Sequence, residues 1–270
     1  MLNIIRGDLY RLKKSKSFIV CLAIILAITV LSYFTMEWAI KIASEEALNT
    51  SDVITIDVIE ELTELTSADL ISSVISSEYT SIVFAIFVCI WVTSEFTCGA
   101  AKNTVGKGCS RVRIFFAKYI TSVGIVFLMN IISFIIMLVS GIIISGTSGL
   151  NGEFFIEVLK YILMKLVLLS AYVGAITAVC ELTRSLVAGI VISVVFEMFS
   201  VKLANGIDLL LDLVGLDFEV SEYWITTTMY ECYYGAISTD FVLRAVIVTA
   251  IWLTISLAAG LLHFKKADIK

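Results

Sequence analysis

Six long runs of apolar residues, separated by polar stretches, organise the chain. Each run is near or above the roughly 20 apolar residues with which a helix crosses about 30 Å of hydrocarbon at about 1.5 Å per residue. The pattern therefore predicts an all-α polytopic membrane protein with a single transmembrane domain over residues 1–270. The six predicted transmembrane helices occupy residues 18–38, 78–94, 119–144, 156–180, 186–204 and 243–263.

Composition agrees with this class. Hydrophobic residues make up 59% of the chain and charged residues only 16%, whereas soluble domains carry about 25% charged residues. The chain contains no proline, so any kink in a span has to arise at a glycine or a π-bulge.

The basic residues predict the orientation of the spans. If the chain starts in the cytoplasm, the inside segments hold fourteen of the 19 Lys and Arg residues, and the three outside segments hold only Lys41. The positive-inside rule then places both termini in the cytoplasm of a multi-pass cell-membrane protein. The inside residues are Arg6, Arg11, Lys13, Lys14, Lys16, Lys102, Lys107, Arg111, Arg113, Lys118, Arg184, Lys265, Lys266 and Lys270.

The acidic residues concentrate on the opposite side. Segment 39–77 contains eight Asp and Glu residues, and segment 205–242 contains seven and no Lys or Arg. One interpretation is that these acids keep the outside segments soluble. The alternative is that they attract a cationic ligand.

Three polar segments are predicted to form helices outside the bilayer core. Residues 2–16 read as a basic amphipathic helix in the inner interface, or else as an ordinary basic flank of the first span. Residues 53–76 predict one or two short helices with an apolar stripe. Residues 205–242 predict a re-entrant or surface-lying helical hairpin before the sixth span, with Trp224 and neighbouring tyrosines in an outer aromatic belt.

Catalytic and nucleotide-binding motifs are not found in the sequence. His263 is the only histidine, which leaves no Ser-His-Asp, HExxH or Cys-His arrangement. Gly99 and Gly106 have the wrong spacing for a phosphate-binding loop, and Lys107 is followed by glycine rather than Ser or Thr. We expect neither enzymatic activity nor a metal or cofactor in this chain, and no nucleic-acid partner.

The inner segment 93–118 carries the most specific pattern. The chain resembles the six-span permease subunits of type 2 ABC transporters, in particular the bacitracin/lantibiotic-type immunity and peptide-export permeases. The departures from that pattern are Thr97-Cys98 and Ala100-Ala101. The residues that carry the resemblance are Ser94-Glu95-Phe96, Gly99, Lys102-Asn103, Gly106, Ser110-Arg111, Ile114-Phe115 and Lys118.

The resemblance implies a function and partners. In that family the short crosswise helix between spans two and three is a coupling helix that docks on a separate ATPase subunit, which binds ATP and Mg. The chain would then be half of a homo- or heterodimeric permease for an amphipathic or peptide-like substrate, in antimicrobial-peptide immunity or export. Without the resemblance, the segment reads as a generic basic inner loop. The implied coupling residues are Glu95, Phe96, Gly99, Lys102, Asn103, Gly106, Ser110 and Arg111.

Two ionisable residues fall deep within predicted spans. Glu197 lies about 16 Å above the inner surface and Lys165 about 13 Å below the outer surface, so their depths nearly coincide. An ionised side chain there costs a few kcal/mol unless it is paired or faces water. We expect Glu197 to be buried and paired with Lys165. The alternatives are a substrate-facing Glu197, a protonated Glu197, or Lys202 as the partner.

Two other functions compete with the exporter hypothesis. An ion- or proton-coupled secondary carrier needs ionisable residues along a cavity and usually inverted repeats, and the two triplets of spans differ in loop pattern. A non-transporting membrane scaffold or sensor is the third possibility.

Overall fold

The computed structural model describes residues 2–49, 67–75, 80–97, 106, 108–216, 218–232 and 237–266. Every regular element in these ranges is helical. In chain order the helices are α1 (Leu2–Lys13), α2 (Lys16–Asn49), α3 (Ser67–Ile75), α4 (Ser81–Thr97), α5 (Arg111–Ser145), α6 (Gly152–Thr183), α7 (Leu186–Val214), α8 (Ile225–Glu231) and α9 (Thr239–Lys266), with a 3₁₀ turn at Ser221–Tyr223 before α8.

Five of the helices are long and apolar enough to cross a membrane, which identifies a multi-pass membrane protein. These are α2, α5, α6, α7 and α9. The other predicted span, 78–94, corresponds to α4, a shorter apolar helix of 17 residues. All six apolar runs are therefore helical, as the pattern predicts, because a backbone in hydrocarbon has to satisfy its hydrogen bonds within the helix.

Helix α6 lies at the centre of the bundle. In its most apolar stretch, 61% of the residues are buried within the protein, whereas the corresponding share is 22% in α2 and in α7. It packs along α9 and also contacts α4, α5 and α7. The chain enters α7 through a two-residue connection in which Arg184 adopts a left-handed conformation (φ 50°). The Ser185 hydroxyl then accepts a hydrogen bond from the Ala188 backbone N–H.

The fifth apolar helix is longer than predicted. The sequence pattern predicts that the span ends at residue 204 and that a separate hairpin follows it, whereas α7 continues without a break to Val214. The leucine-rich sequence there favours helix, and no proline interrupts it. The helix ends where Gly215 takes up a left-handed conformation (φ 79°) that favours glycine. Leu209, Leu210 and Leu213 remain exposed on this extension.

The N-terminal helix contacts the bundle through a polar residue. Helix α1 forms as predicted, and it packs on α5. The apolar side of this amphipathic helix is only partly covered by the rest of the protein, since Leu12 is buried and Leu9 is 51% exposed. Asp8 instead is 4% exposed and points into the protein.

The two ends of the bundle differ in charge and connectivity. We use "basic end" for the end that contains Arg11, Glu95 and Lys118, where α1 and α4 end and α5 begins. The opposite end, the "acidic end", contains α3, α8 and the connection between α5 and α6. There the Ser67 backbone N–H donates to the Ser148 hydroxyl at 3.1 Å, which ties α3 to that connection.

Helix α3 packs tightly against α5 at a glycine. A Cβ added at Gly141 would lie 2.7 Å from Cδ1 of Ile71, whose side chain is fully buried. We expect Gly141→Ala to destabilise the protein by about 1–3 kcal/mol, because the close-packed neighbour has to move. Gly124→Ala, on the same helix with no atom within 4 Å of the new Cβ, is the matched control and should be neutral or stabilise by up to about 1 kcal/mol.

Detergent unfolding of the two variants tests this contact. Equal stability of Gly141→Ala and Gly124→Ala would show that α3 does not pack on α5 as described.

Candidate functional site

A buried network of charges joins three helices at the basic end. The Lys118 ammonium on α5 lies 2.7 Å from the Glu95 carboxylate on α4 and 3.8 Å from the Asp8 carboxylate on α1. The Thr121 hydroxyl donates to Asp8 at 3.3 Å. The Lys118 side chain is 3% exposed and that of Asp8 6%. Burial raises the pKa of the Asp8 carboxyl, and the neighbouring Lys118 ammonium opposes that rise.

Arg11 extends the network to the surface. Its guanidinium donates to the Ser94 hydroxyl at 2.8 Å and lies 3.5 Å from the Glu95 carboxylate. Both cations also lie over the Trp91 ring. The Arg11 guanidinium is 5.2 Å and the Lys118 ammonium 4.5 Å from the ring centroid. The attraction between a cation and the face of an aromatic ring is stronger where the cation is partly desolvated, so the Trp91 ring helps to hold both side chains in place.

Two further implied coupling residues are held by the ends of other helices. The Phe96 ring lies 5.7 Å from the Arg184 guanidinium at the end of α6. Arg111 donates to the backbone carbonyl of Phe264, near the end of α9, at 3.4 Å. Glu95, Phe96 and Arg111, which the sequence proposes as docking residues, therefore also make contacts within this chain.

The remaining implied coupling residues are less constrained or fall outside the described ranges. Ser110 precedes α5 in an extended conformation, and its carbonyl accepts hydrogen bonds from the backbone N–H groups of Arg113 and Ile114, but its hydroxyl makes no cap. Gly106 is exposed. Gly99, Lys102 and Asn103 lie outside the described residues, and so does most of the predicted coupling helix.

The structure brings the two deep ionisable residues into one polar cluster. Lys165 on α6 is 5% exposed and Glu197 on α7 is 4% exposed, and the Glu197 charge is close enough to act on the Lys165 ammonium. The Tyr172 hydroxyl lies beside the Glu197 carboxylate. The Glu197 charge acts on the Lys165 ammonium, so the expected electrostatic pairing of the two residues stays a prediction that the charge swaps described below test.

Helix α8 covers this cluster from the acidic end. The Thr226 and Ser200 hydroxyls hydrogen bond at 2.6 Å, which joins α8 to α7. Cys232, just after α8, is fully buried near Lys165. Burial raises the pKa of the Cys232 thiol to about 11, although the Lys165 ammonium lowers it. The sequence predicts a re-entrant or surface-lying helical hairpin before the last span, whereas the described residues show the continuation of α7 and then the short buried helix α8.

A small polar cavity adjoins Lys165 on its other side. Its volume is about 20 Å³, which is enough for a single water molecule. The Thr29 and Ser133 hydroxyls hydrogen bond at 3.0 Å in its wall, and the buried Asn130 Oδ1 has no hydrogen-bond donor among the described residues. Sequence reasoning overlooked Asn130 and Tyr172, although an amide and a phenol within apolar spans are a signal of a polar interior.

Several acids of segment 205–242 have partners in the protein. Asp208 accepts hydrogen bonds from the Val220 and Ser221 backbone N–H groups and so closes the turn after α7. Arg244 on α9 forms ion pairs with Glu222, at 3.5 Å, and with Glu231. These three acids stabilise local structure. Fewer of the seven acids of the segment are therefore left to attract a cationic ligand.

Aromatic residues hold the same turn against the spans. The Trp224 and Trp252 rings meet edge to face at 5.2 Å, and Phe196 contacts both rings. The Trp252 indole N–H donates to the Tyr223 carbonyl at 3.1 Å. Trp224 and Tyr223 thus pack between α7 and α9. The predicted tyrosines at 233 and 234 lie outside the described residues.

Within the described ranges, no group of three or more His, Cys, Asp and Glu residues is placed to hold a metal ion. Neither the known protein families nor the curated proteins compared with this sequence match it.

Proposed function

We propose that this chain is the membrane-spanning permease subunit of an ATP-driven exporter, with both termini in the cytoplasm. A separate ATPase subunit would bind ATP and Mg, and a second permease subunit would complete the transporter. The cargo would be an amphipathic or peptide-like substrate taken from the cytoplasm or the membrane. The residue pattern of segment 93–118 supports this assignment.

The observation that carries the proposal is the way in which the residues on either side of positions 97–110 within that segment are held. Before these positions, Glu95 at the end of α4 is bound by Lys118 of α5, and Phe96 contacts Arg184 of α6. After them, Arg111 at the start of α5 binds the end of α9. A stretch whose two flanks contact α5, α6 and α9 can transmit a displacement of its docked partner to the bundle.

Co-purification with an ATPase subunit tests the proposal. Lys102→Glu should lower the amount of bound ATPase by about tenfold or more, because it reverses a charge at the proposed interface. Lys13→Glu reverses an exposed charge at the same end, outside the segment, and is the matched control. Candidate ATPases are those encoded beside the gene, and substrate-stimulated ATP hydrolysis is the second readout.

The choice of variant follows from the contacts. Arg111→Glu is a poorer test, because it also removes the hydrogen bond to Phe264 and so perturbs the packing of α9. Unchanged ATPase recovery and stimulation in Lys102→Glu, with Lys13→Glu also unchanged, would contradict a docking role for the segment.

The buried polar cluster favours one second candidate, an ion- or proton-coupled carrier. Glu197 is a buried carboxylate whose Oε2 lacks a hydrogen-bond donor in the described structure, and Lys165 and Tyr172 lie near it. Such groups form the ion and proton pathways of secondary carriers. Transport by purified protein in vesicles, driven by a pH gradient with no ATPase subunit present, would support this alternative.

A further inference from the structure

A pocket at the basic end lies between the N-terminal helices and α4. Its volume is about 210 Å³. One wall is polar and comes from Arg11, Ser15, Ser17 and Ser94, and the other is apolar. The apolar wall consists of Phe87, Ile90 and Trp91 of α4.

Both walls of the pocket offer hydrogen-bond donors. The Ser15 hydroxyl accepts from the Phe18 backbone N–H at 3.4 Å, which leaves its own proton available. Ser17 lies in the first turn of α2, where backbone N–H groups lack helical partners and the helix dipole favours an anion. Trp91 is 3% exposed, and its indole N–H has no acceptor among the described residues. A ligand that brings oxygen acceptors into the pocket would satisfy this donor.

The charge at the pocket is positive. The Glu95 carboxylate lies closer to Lys118, at 2.7 Å, than to Arg11, at 3.5 Å, so Arg11 is only partly neutralised. Its side chain is 38% exposed. Lys13, Lys14 and Lys16 follow in sequence, and no acidic residue occurs from residue 9 to residue 36. No Asp or Glu lines the pocket itself.

The position of the pocket selects a lipid rather than a soluble anion. It lies at the start of the first apolar helix, and the outward face of that helix begins with Ile19 and Val20, which are 62% and 55% exposed. The phosphate of a bilayer lipid lies at this depth, and its chains can continue along Ile90.

We propose that this pocket binds the headgroup phosphate of one anionic phospholipid. Arg11, Ser15, Ser17 and the Trp91 indole N–H would hold the phosphate oxygens, and Ser94 would orient the guanidinium. The lipid thereby fastens α1 and the start of α2 to α4.

Native mass spectrometry of the delipidated protein in detergent tests the proposal, with dioleoyl phosphatidylglycerol as the probe. We expect one tightly held lipid, weakened about tenfold in Arg11→Gln through loss of a charged hydrogen-bond donor. Ser17→Phe should abolish it by filling the pocket while leaving Arg11 and its contacts in place. Lys13→Gln, exposed and outside the pocket, should bind as the unmodified protein does.

Four results would overturn the proposal. Ser17→Phe that binds the lipid normally would show that the pocket is not the site, even if Arg11→Gln fails to fold. An equal loss in Lys13→Gln would indicate diffuse electrostatic attraction. Displacement of the probe by inorganic phosphate, or equal retention of dioleoyl phosphatidylcholine, would show that an anionic lipid is not the ligand.

Discussion

Lys118→Met is expected to destabilise the folded protein by about 3–5 kcal/mol, the cost of leaving a buried charge without its partner. The ammonium lies between the carboxylates of Asp8 and Glu95, and its side chain is only 3% exposed. Methionine preserves the volume of the side chain and removes the charge. Unfolding by SDS in mixed micelles measures the loss.

A second substitution distinguishes charge from packing. The double variant Lys118→Met, Glu95→Gln should recover part of the stability, because the carboxylate that lost its nearest cation is neutralised as well. Asp8→Asn should cost much less than Lys118→Met, since its amide oxygen can still accept from Thr121. Equal losses in the single and the double Lys118 variants would show that packing rather than charge stabilises the basic end.

The pH dependence of the Lys118→Met variant follows from Asp8. Burial raises the pKa of the Asp8 carboxyl, and Lys118 is the largest influence that lowers it. Removing Lys118 therefore raises this pKa further. An acid whose pKa is raised on folding contributes stability that is present below its ordinary pKa and is lost as pH rises through its folded pKa. The defect in Lys118→Met should thus be smallest at acidic pH and grow towards neutral pH.

Glu197→Lys is expected to abolish recovery of folded protein. It places a second ammonium near Lys165 in a region where both side chains are at least 95% buried, and burying an uncompensated charge there costs several kcal/mol. Glu197→Gln keeps the shape and can still contact the Tyr172 hydroxyl, so it should remain within about 1–2 kcal/mol of the unmodified protein. Yield of monodisperse protein after detergent extraction distinguishes the two variants.

The reciprocal change tests the electrostatic interaction between the two positions. Lys165→Glu alone should also lose folded protein, and the double swap should restore part of it. We expect partial restoration because the two positions have different neighbours, Cys232 beside Lys165 and Tyr172 beside Glu197. Normal yield of Glu197→Lys alone would mean that the cluster is open to water and that its charges are solvated.

The sequence by itself determined the class of the protein and the positions of its helices. An apolar run of this length is stable in a bilayer as a helix, because a helix satisfies the hydrogen bonds of its own backbone N–H and C=O groups. Whether a run forms such a helix depends only on its local composition. The six runs are accordingly helical, although α4 is shorter than the others. The burial of Glu197 also follows from sequence, because a deep charge avoids lipid. The hairpin predicted over 205–242 does not, since the described residues there show the continuation of α7 and the short buried helix α8.

Only the tertiary structure decided which residues meet. The partners of Arg11 and Lys118 lie 84 and 23 residues away in the chain, at Glu95, and no periodicity specifies such a pairing. The sequence contained one signal, since Asp8 is the only acid among the bases of residues 2–16, but its place between α1 and α5 depends on packing. The same holds for the acids paired with Arg244, for the end of α7 and for the pocket beside Arg11. Helix formation is local, whereas ion pairs, cavities and helix ends depend on neighbours that folding brings together from distant parts of the chain.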